Sequence, residues 1–318
     1  MHLFAQNTNK EIKMELVLKT RGLTKKYKNF QALRGVDMNV ERGDIYGFVG
    51  ENGSGKTTVI RIISGVIFAN EGEFELFGKS SNSNEILAAR SRIGAVVESP
   101  SIYSNLTAYD NLKMQAIAAG VEDLDKIRQV LADVGLEYLY SDKKKAGNFS
   151  LGMRQRLGIA MALLSEPEFI MLDEPMNGLD PAGIIEVREL ILRLNREKGI
   201  TFLISSHILT ELALVATKYG IISKGKIIKE ITSEELKREC RRSTLIKVEN
   251  IGELLAHLSG MGFEVEATCE GVRVYGDVEL NDVFSHIIGE GIRILGVVTS
   301  DFSIEDYYLS VVGGAGND

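Results

Sequence analysis

Residues 50–58 read Gly50-Glu51-Asn52-Gly53-Ser54-Gly55-Lys56-Thr57-Thr58, which completes the spacing G-x-x-x-x-G-K-[ST]. Each position has a physical reason. The glycines open backbone dihedrals that side chains resist, so successive N–H groups can turn inward around an anion. Lys56 adds a cation within reach of β- and γ-phosphates, and the Thr57 hydroxyl can ligate Mg²⁺. The flanks agree. Ile45-Tyr46-Gly47-Phe48-Val49 reads as a buried strand, and Thr57 to Ser64 as a helix whose N-terminus faces the phosphates. The stretch predicts a nucleoside triphosphate site in an α/β protein.

The chain has 318 residues, enough for one large or two modest domains. Hydrophobic content of 44% and charged content of 25% are those of an ordinary globular protein. No apolar run reaches the roughly 18–20 residues of a membrane-spanning helix. The start, MHLFAQNTNKEIKMELVL, lacks the apolar core of a signal peptide. Residues 1–13 read as a polar extension, with Met14 a candidate start. Two cysteines, Cys240 and Cys269, point to a reducing compartment without a disulfide framework. Of the net charge of −7, residues 241–318 hold 5 Lys/Arg against 13 Asp/Glu, so the acidity belongs to the tail. No basic stripe of the kind nucleic acid requires is present.

Val36, Met38 and Val40 alternate with Asp37, Asn39 and Glu41, a half-buried strand pattern. From about residue 107 to 165 the period becomes helical, with Leu124, Ile127, Val130, Leu131 and Val134 on one face. Strand-like runs return at Phe169–Leu172 and Thr201–Ser205, separated by a helix from Pro181 to Lys198. Alternation of strands and helices predicts an α/β core with parallel strands over 14–238 and a helical subdomain over about 100–165. After residue 240 the pattern restarts. Strands at Leu245–Val248, Phe263–Thr268, Val272–Tyr275 and Ile292–Val298 interleave with helices at Gly252–Leu258, Leu280–Ile288 and Ser303–Val311. The order β-α-β-β-α-β predicts a ferredoxin-like α+β accessory domain over 241–318.

Two further stretches carry chemistry. Phe169-Ile170-Met171-Leu172 ends in Asp173 and Glu174. Alone, paired acids after a strand only cap a turn. Downstream of a phosphate loop, Asp173 is placed to hold Mg²⁺ opposite Thr57, and Glu174 to orient or deprotonate the water that attacks a γ-phosphate. Asn148-Phe149-Ser150-Leu151-Gly152-Met153-Arg154-Gln155-Arg156 opens an apolar helix. Ser150 is a good N-cap there, so the stretch reads either as an ordinary capped helix or as an anion site.

Taken together and in this order, the three motifs resemble the nucleotide-binding subunit of ATP-binding cassette (ABC) transporters over about residues 15–235. The resemblance makes Gly50–Thr58 the Walker A loop, with Gly50, Asn52, Gly53, Ser54, Gly55, Lys56, Thr57 and Thr58 on ATP. Phe169–Glu174 becomes the Walker B strand. It makes Ser150-Leu151-Gly152-Met153 the signature, Asn177-Gly178-Leu179-Asp180 the D-loop, His207 the switch histidine and Tyr27 the ring that stacks on adenine. It also implies that two cassettes, expected as a homodimer, face each other head to tail. Ser150, Gly152 and Asp180 of one would then complete the site of the other. Glu174, His207 and Lys56 form the implied catalytic set, with ATP and Mg²⁺ required.

The chain has Glu98 where the general family places a Gln, Leu151 where glycine is commoner, and Met153 in place of Gln. With the acidic tail, these departures resemble the cassettes of bacitracin- and lantibiotic-type self-protection exporters. That implies Thr57, Asp173 and Glu98 around Mg²⁺, and a separate transmembrane permease docked at Pro100–Leu106. It also implies a peripheral position on the cytoplasmic face of a bacterial membrane. The competing class, a soluble ABC ATPase of translation or repair type, is disfavoured. The chain holds one cassette, with neither a long coiled coil between the Walker motifs nor a basic surface signal.

Overall fold

Ile45–Val49 is buried at every position, and so are Phe169–Asp173 and Thr201–Ser206. Unbroken apolar runs of this kind belong in the middle of a parallel sheet covered on both faces. The computed structural model describes residues 15–276, 283, 284, 287, 292–300 and 303–314. The expected extension over residues 1–13 lies outside them.

A four-stranded antiparallel sheet comes first, in the order β2-β1-β4-β5. It contains β1 (Leu16–Tyr27), β2 (Phe30–Glu41), β4 (Glu71–Leu76) and β5 (Lys79–Ser80). Val36, Met38 and Val40 are fully buried on β2, as their alternation requires. The second sheet runs β10-β9-β3-β8-β7-β6. Its members are β3 (Ile45–Val49), β6 (Ile93–Val96), β7 (Phe169–Asp173), β8 (Thr201–Ser206), β9 (Lys218–Ser223) and β10 (Lys226–Thr232). The strands from β9 to β6 are all parallel. Register decides the rest: Val49 pairs with Ser206, and Asp173 with Ser205. The three central strands therefore end level, and the loops that leave them emerge at one place.

Helix α1 (Lys56–Ile63) follows β3 and buries Val59, Ile60, Ile62 and Ile63 in the core shared with Phe48, Phe169, Met171 and Leu203. Truncating one such buried aliphatic to Ala costs about 2–5 kcal/mol. The short α2 (Ile86–Arg90) precedes β6. The helical subdomain consists of α3 (Ala108–Ala118), α4 (Lys126–Asp133) and α5 (Leu151–Leu163). Helix α6 (Pro181–Lys198) starts where the Asp180 carboxylate accepts the Gly183 N–H at 3.0 Å, and it stops at Gly199, φ 65°. The short α7 (Leu209–Leu212) follows β8.

The chain divides into two units after Glu230. The second contains α8 (Ser233–Glu239), β11 (Ser243–Val248), α9 (Ile251–Gly260), β12 (Val265–Ala267), β13 (Val272–Tyr275), β14 (Ile294–Ser300) and α10 (Ile304–Gly314). Its antiparallel sheet runs β12-β13-β11-β14, with the first strand between the third and the fourth. Ile246, Val248, Leu254, Leu258, Val272 and Val274 form its core. Of the helix expected at Leu280–Ile288, the described residues are Val283, Phe284 and Ile287. All three are helical and belong to that core.

Candidate active site

The phosphate loop leaves β3 with Gly50, whose N–H donates to the Ser206 carbonyl at 3.2 Å. A Cβ on Gly50 would lie 2.3 Å from the Ile222 carbonyl oxygen and 2.7 Å from Ser54 Oγ, so only glycine fits. Gly55, at φ 114°, caps α1 without a side chain, and its own Cβ would strike the Ala32 carbonyl at 2.8 Å. Val59 is the first residue of α1 to bond back, to the Gly55 carbonyl. Helix geometry therefore leaves the N–H groups of Lys56, Thr57 and Thr58 pointing out of the N-terminus, where they and the helix dipole favour an anion.

Lys56 is 5% exposed. Its ammonium donates to the carbonyls of Gly50 at 2.6 Å and Glu51 at 3.2 Å, and lies 3.4 Å from Glu174 Oε1. The other oxygen of Glu174 meets His207 Nδ1 at 2.8 Å. Glu174 takes up a left-handed backbone, φ 50°, which strains a residue with a Cβ. Ser205 holds it there, because the Glu174 N–H donates to both the Ser205 carbonyl, at 3.2 Å, and its hydroxyl, at 3.0 Å. The same hydroxyl donates to Asp173 Oδ1 at 2.5 Å, while Thr57 Oγ1 donates to Asp173 Oδ2 at 2.7 Å. Burial pushes the nearby Glu211 carboxyl up, with His207 opposing the shift and Glu174 adding to it.

Ser205 and Arg61 escaped the sequence reading. A hydroxyl at the end of the buried strand Thr201-Phe202-Leu203-Ile204 needs a partner, and that need was the available signal. Arg61 lies one turn along α1 from Thr57 and binds Glu98, Nη2 to Oε1 at 2.5 Å. The structure therefore brings Thr57 and Asp173 together but places Glu98 on Arg61, with its side chain 63% exposed and its backbone at φ 61°. Opposite charge on the neighbouring surface arginine holds Glu98 there.

Asn52, Gly53 and Ser54 line a cavity of about 230 Å³ with Phe30, Ala32, Arg34, Glu51, Ser223 and Lys224. Tyr27 closes the β1–β2 hairpin opposite Phe30 and packs under Lys25, whose ammonium is 5.3 Å from the ring centroid. Phe30, not Tyr27, lines this cavity.

The signature lies elsewhere. Ser150 Oγ accepts the Met153 N–H at 3.2 Å and caps α5. Ser150, Leu151, Gly152, Leu179, Asp180 and Gly183 line a separate cavity of about 480 Å³, to which no residue of the phosphate loop contributes. The structure thus gathers Ser150, Gly152 and Asp180, apart from Lys56, Thr57, Asp173, Glu174 and His207.

Ser54 Oγ on the phosphate loop is buried without a hydrogen-bond partner. With the glycine cradle and the outward N–H groups, this hydroxyl fits a polyphosphate. Two hard oxygen donors, Thr57 Oγ1 and Asp173 Oδ2, fit a divalent cation beside it.

Three adjacent strand ends that present an anion cradle, a lysine, paired carboxylates and a histidine define a P-loop ATPase. The comparisons narrow the class: the ABC transporter family model matches residues 33–177. The chain is 42% identical over 312 residues to the bacitracin transport ATP-binding protein BcrA of Bacillus licheniformis, covering 95% of this chain and 99% of that one. It is 41% identical over 214 residues to the lantibiotic transport ATP-binding protein SrtF of Streptococcus pyogenes, covering 67% of this chain and 90% of the relative. The dimeric ATP-binding cassette MJ0796, in its post-hydrolysis state with ADP and Pi, superposes with a TM-score of 0.61 at 26% identity. That match covers 68% of this chain and 98% of the cassette. The chain belongs to the ATP-binding subunits of ABC transporters and is an ATPase.

Proposed function

We propose that the chain works as one of two identical, head-to-tail ATPase subunits that power a separate permease exporting antimicrobial peptides. The observation that carries this reading is the separation of two half-sites on one chain: the phosphate loop, whose Lys56 meets Glu174 at 3.4 Å, and a separate cavity lined by Ser150 and Asp180, to which no phosphate-loop residue contributes.

ATP lies along the N–H groups that open α1 and takes Lys56 from Glu174. His207 turns from the carboxylate to the γ-phosphate. Glu174, relieved of both partners, accepts a proton from the attacking water as the new P–O bond forms. The bond from γ-phosphorus to the ADP oxygen breaks, and inorganic phosphate leaves with ADP. Thr57 and Asp173 would hold Mg²⁺, which when bound neutralises charge on the β- and γ-oxygens. Glu98 would join them on leaving Arg61. Tyr27, paired with Phe30 on the hairpin that flanks the phosphate-loop cavity, stacks on the base. The partner's signature closes on the γ-phosphate, and its loss after hydrolysis reopens the pair.

A groove of about 370 Å³, lined among others by Val66, Val97, Pro100, Ser101 and Gly158, supports permease docking beside Pro100–Leu106. Gly158 admits Pro100 there, since a Cβ would come within 2.6 Å of the proline ring. None of the described helices is long and apolar enough to cross a membrane. This supports a peripheral subunit at the cytoplasmic face, with the spans supplied by the permease. The names of the BcrA and SrtF relatives support bacitracin-like or lantibiotic cargo. Affinity capture from detergent-solubilised bacterial membranes is expected to return a polytopic membrane protein together with the chain. Capture of ribosomes instead would overturn the reading.

A further inference from the structure

Asn111 is 1% exposed, and its side chain bonds outward from α3. Its Oδ1 accepts the Tyr103 N–H at 2.8 Å, while Nδ2 donates to the carbonyls of Tyr103 at 3.1 Å and Thr107 at 2.8 Å. Starting the helix does not require it, because Thr107 and Asp110 already form a complete capping box. What Asn111 fixes is the loop Tyr103–Thr107. That loop is bonded to the segment leading to the signature. Ala146 donates its N–H to the Leu106 carbonyl and Gly147 to the Ser104 carbonyl, each at 2.8 Å, and Thr107 and Lys145 form an antiparallel bridge. Just beyond Gly147, Phe149 is buried and its carbonyl accepts from Arg154 at 2.5 Å, and Ser150 then caps α5.

We propose that Asn111 is a positioning residue that welds the Tyr103–Thr107 loop to the Lys145–Ser150 segment. Force applied at the loop then reaches the signature without slack, and signature closure reaches the loop. That the applied force comes from a permease rests on the function proposed above. The weld itself does not.

The residue type follows from the bonds. Asp would keep the acceptor for Tyr103 but lose both donors and bring a buried charge against two carbonyl oxygens. Ala would leave the Tyr103 N–H unpaired and strip the side-chain donor from the carbonyls of Tyr103 and Thr107, which keep only the N–H groups of Leu106 and Asn111 at 3.1 Å.

The test uses the purified full chain. In Asn111→Ala, and in Asn111→Asp as the same-shape variant, the amides of Ala146 and Gly147 are expected to exchange hydrogen about tenfold faster or more, although Asn111 touches neither. Basal ATPase of the isolated subunit is expected to stay within about twofold. In the permease complex, stimulation of ATPase by cargo is expected to be lost. A disulfide supplies the rescue: a Cβ on Gly147 would lie 3.4 Å from Ser104 Cβ, close to the separation a disulfide spans. Ser104→Cys with Gly147→Cys is expected to restore stimulation to Asn111→Ala under oxidation, and reduction to remove it again. Unchanged exchange at Ala146 and Gly147, or oxidation that fails to restore stimulation, would overturn the weld. A wild-type chain that no permease stimulates would instead overturn the transport reading, and the exchange experiment alone would then decide the weld.

Discussion

Replacing Glu174 by Gln should tighten ADP binding as well as stop hydrolysis. Lys56 Nζ lies 3.4 Å from Glu174 Oε1, with the lysine side chain 5% and the glutamate side chain 20% exposed. At an effective dielectric of about 20, that separation gives about 5 kcal/mol of gross attraction. Desolvating both charges offsets most of it, leaving a net of roughly 1–1.5 kcal/mol. Nucleotide binding must break this contact, because Lys56 exchanges the carboxylate for phosphate. Glu174→Gln removes the competitor, so the dissociation constant for ADP should fall about tenfold. ADP is the right probe, since without a γ-phosphate it leaves head-to-tail closure out of the measurement. Isothermal titration calorimetry on the isolated chain reads the effect, and it should persist in a His207→Ala background. An ADP affinity that stays equal or weakens would refute the competition between carboxylate and phosphate.

Gly55→Ala places a methyl group 2.8 Å from the Ala32 carbonyl at φ 114°. It should lose about 2–3 kcal/mol of stability together with the thermal shift on adding ATP, both visible by scanning fluorimetry. Ser150→Ala removes the cap on the Met153 N–H, worth about 1 kcal/mol. In a Glu174→Gln background it should abolish ATP-driven self-association in sedimentation velocity while leaving ADP affinity unchanged. Hydrogen bonds from Arg92 first, and then Arg42, hold the Glu168 carboxyl down at about 2. Its stabilisation is therefore present above its unfolded value near 4.5 and fades as pH falls from there towards 2. With the side chain 38% exposed, solvent screening leaves about 1 kcal/mol. Glu168→Gln should thus melt roughly 2–4 °C lower at pH 7 and no lower than wild type near pH 2. Glu98→Gln breaks only an exposed pair, so stability should change by less than about 0.5 kcal/mol. ADP affinity should hold while the Mg²⁺ dependence of cargo-stimulated ATPase shifts, and an unshifted Mg²⁺ titration would remove Glu98 from the metal.

The parts of the site that depend on backbone shape were legible in the chain. Gly50 and Gly55 announce a loop only glycine can form, and Ser150 and Asp180 announce helix starts, because a cap acts over three residues of sequence. Parts that depend on long-range side-chain choice were not. Arg61 and Glu98 meet across 37 residues, and nothing in TTVIRII marks Arg61 as a partner. That Phe30 lines the cavity beside the phosphate loop turns on the geometry of one hairpin. In the sequence Ser205 only closes a buried strand; the fold alone brings its hydroxyl between Asp173 and Glu174. The unit boundary was expected after residue 238 and falls after Glu230. No change in composition marks it, since the capping box of Thr232 and Glu235 starts α8 as any surface helix starts.

The central sheet also constrains how this protein can be made. β8 is the last of the three site-bearing strands to leave the ribosome, yet it sits between β3 and β7. Until residues 201–207 emerge, β3 and β7 have no shared neighbour, and each exposes an apolar edge open to wrong pairing. Nucleotide cannot rescue that interval, because Ser205 and His207 arrive with the missing strand. The growing chain therefore carries an unfinished sheet through about two-thirds of its synthesis. Substitutions that slow the insertion of β8 should reduce the yield of soluble protein even where the finished enzyme tolerates them.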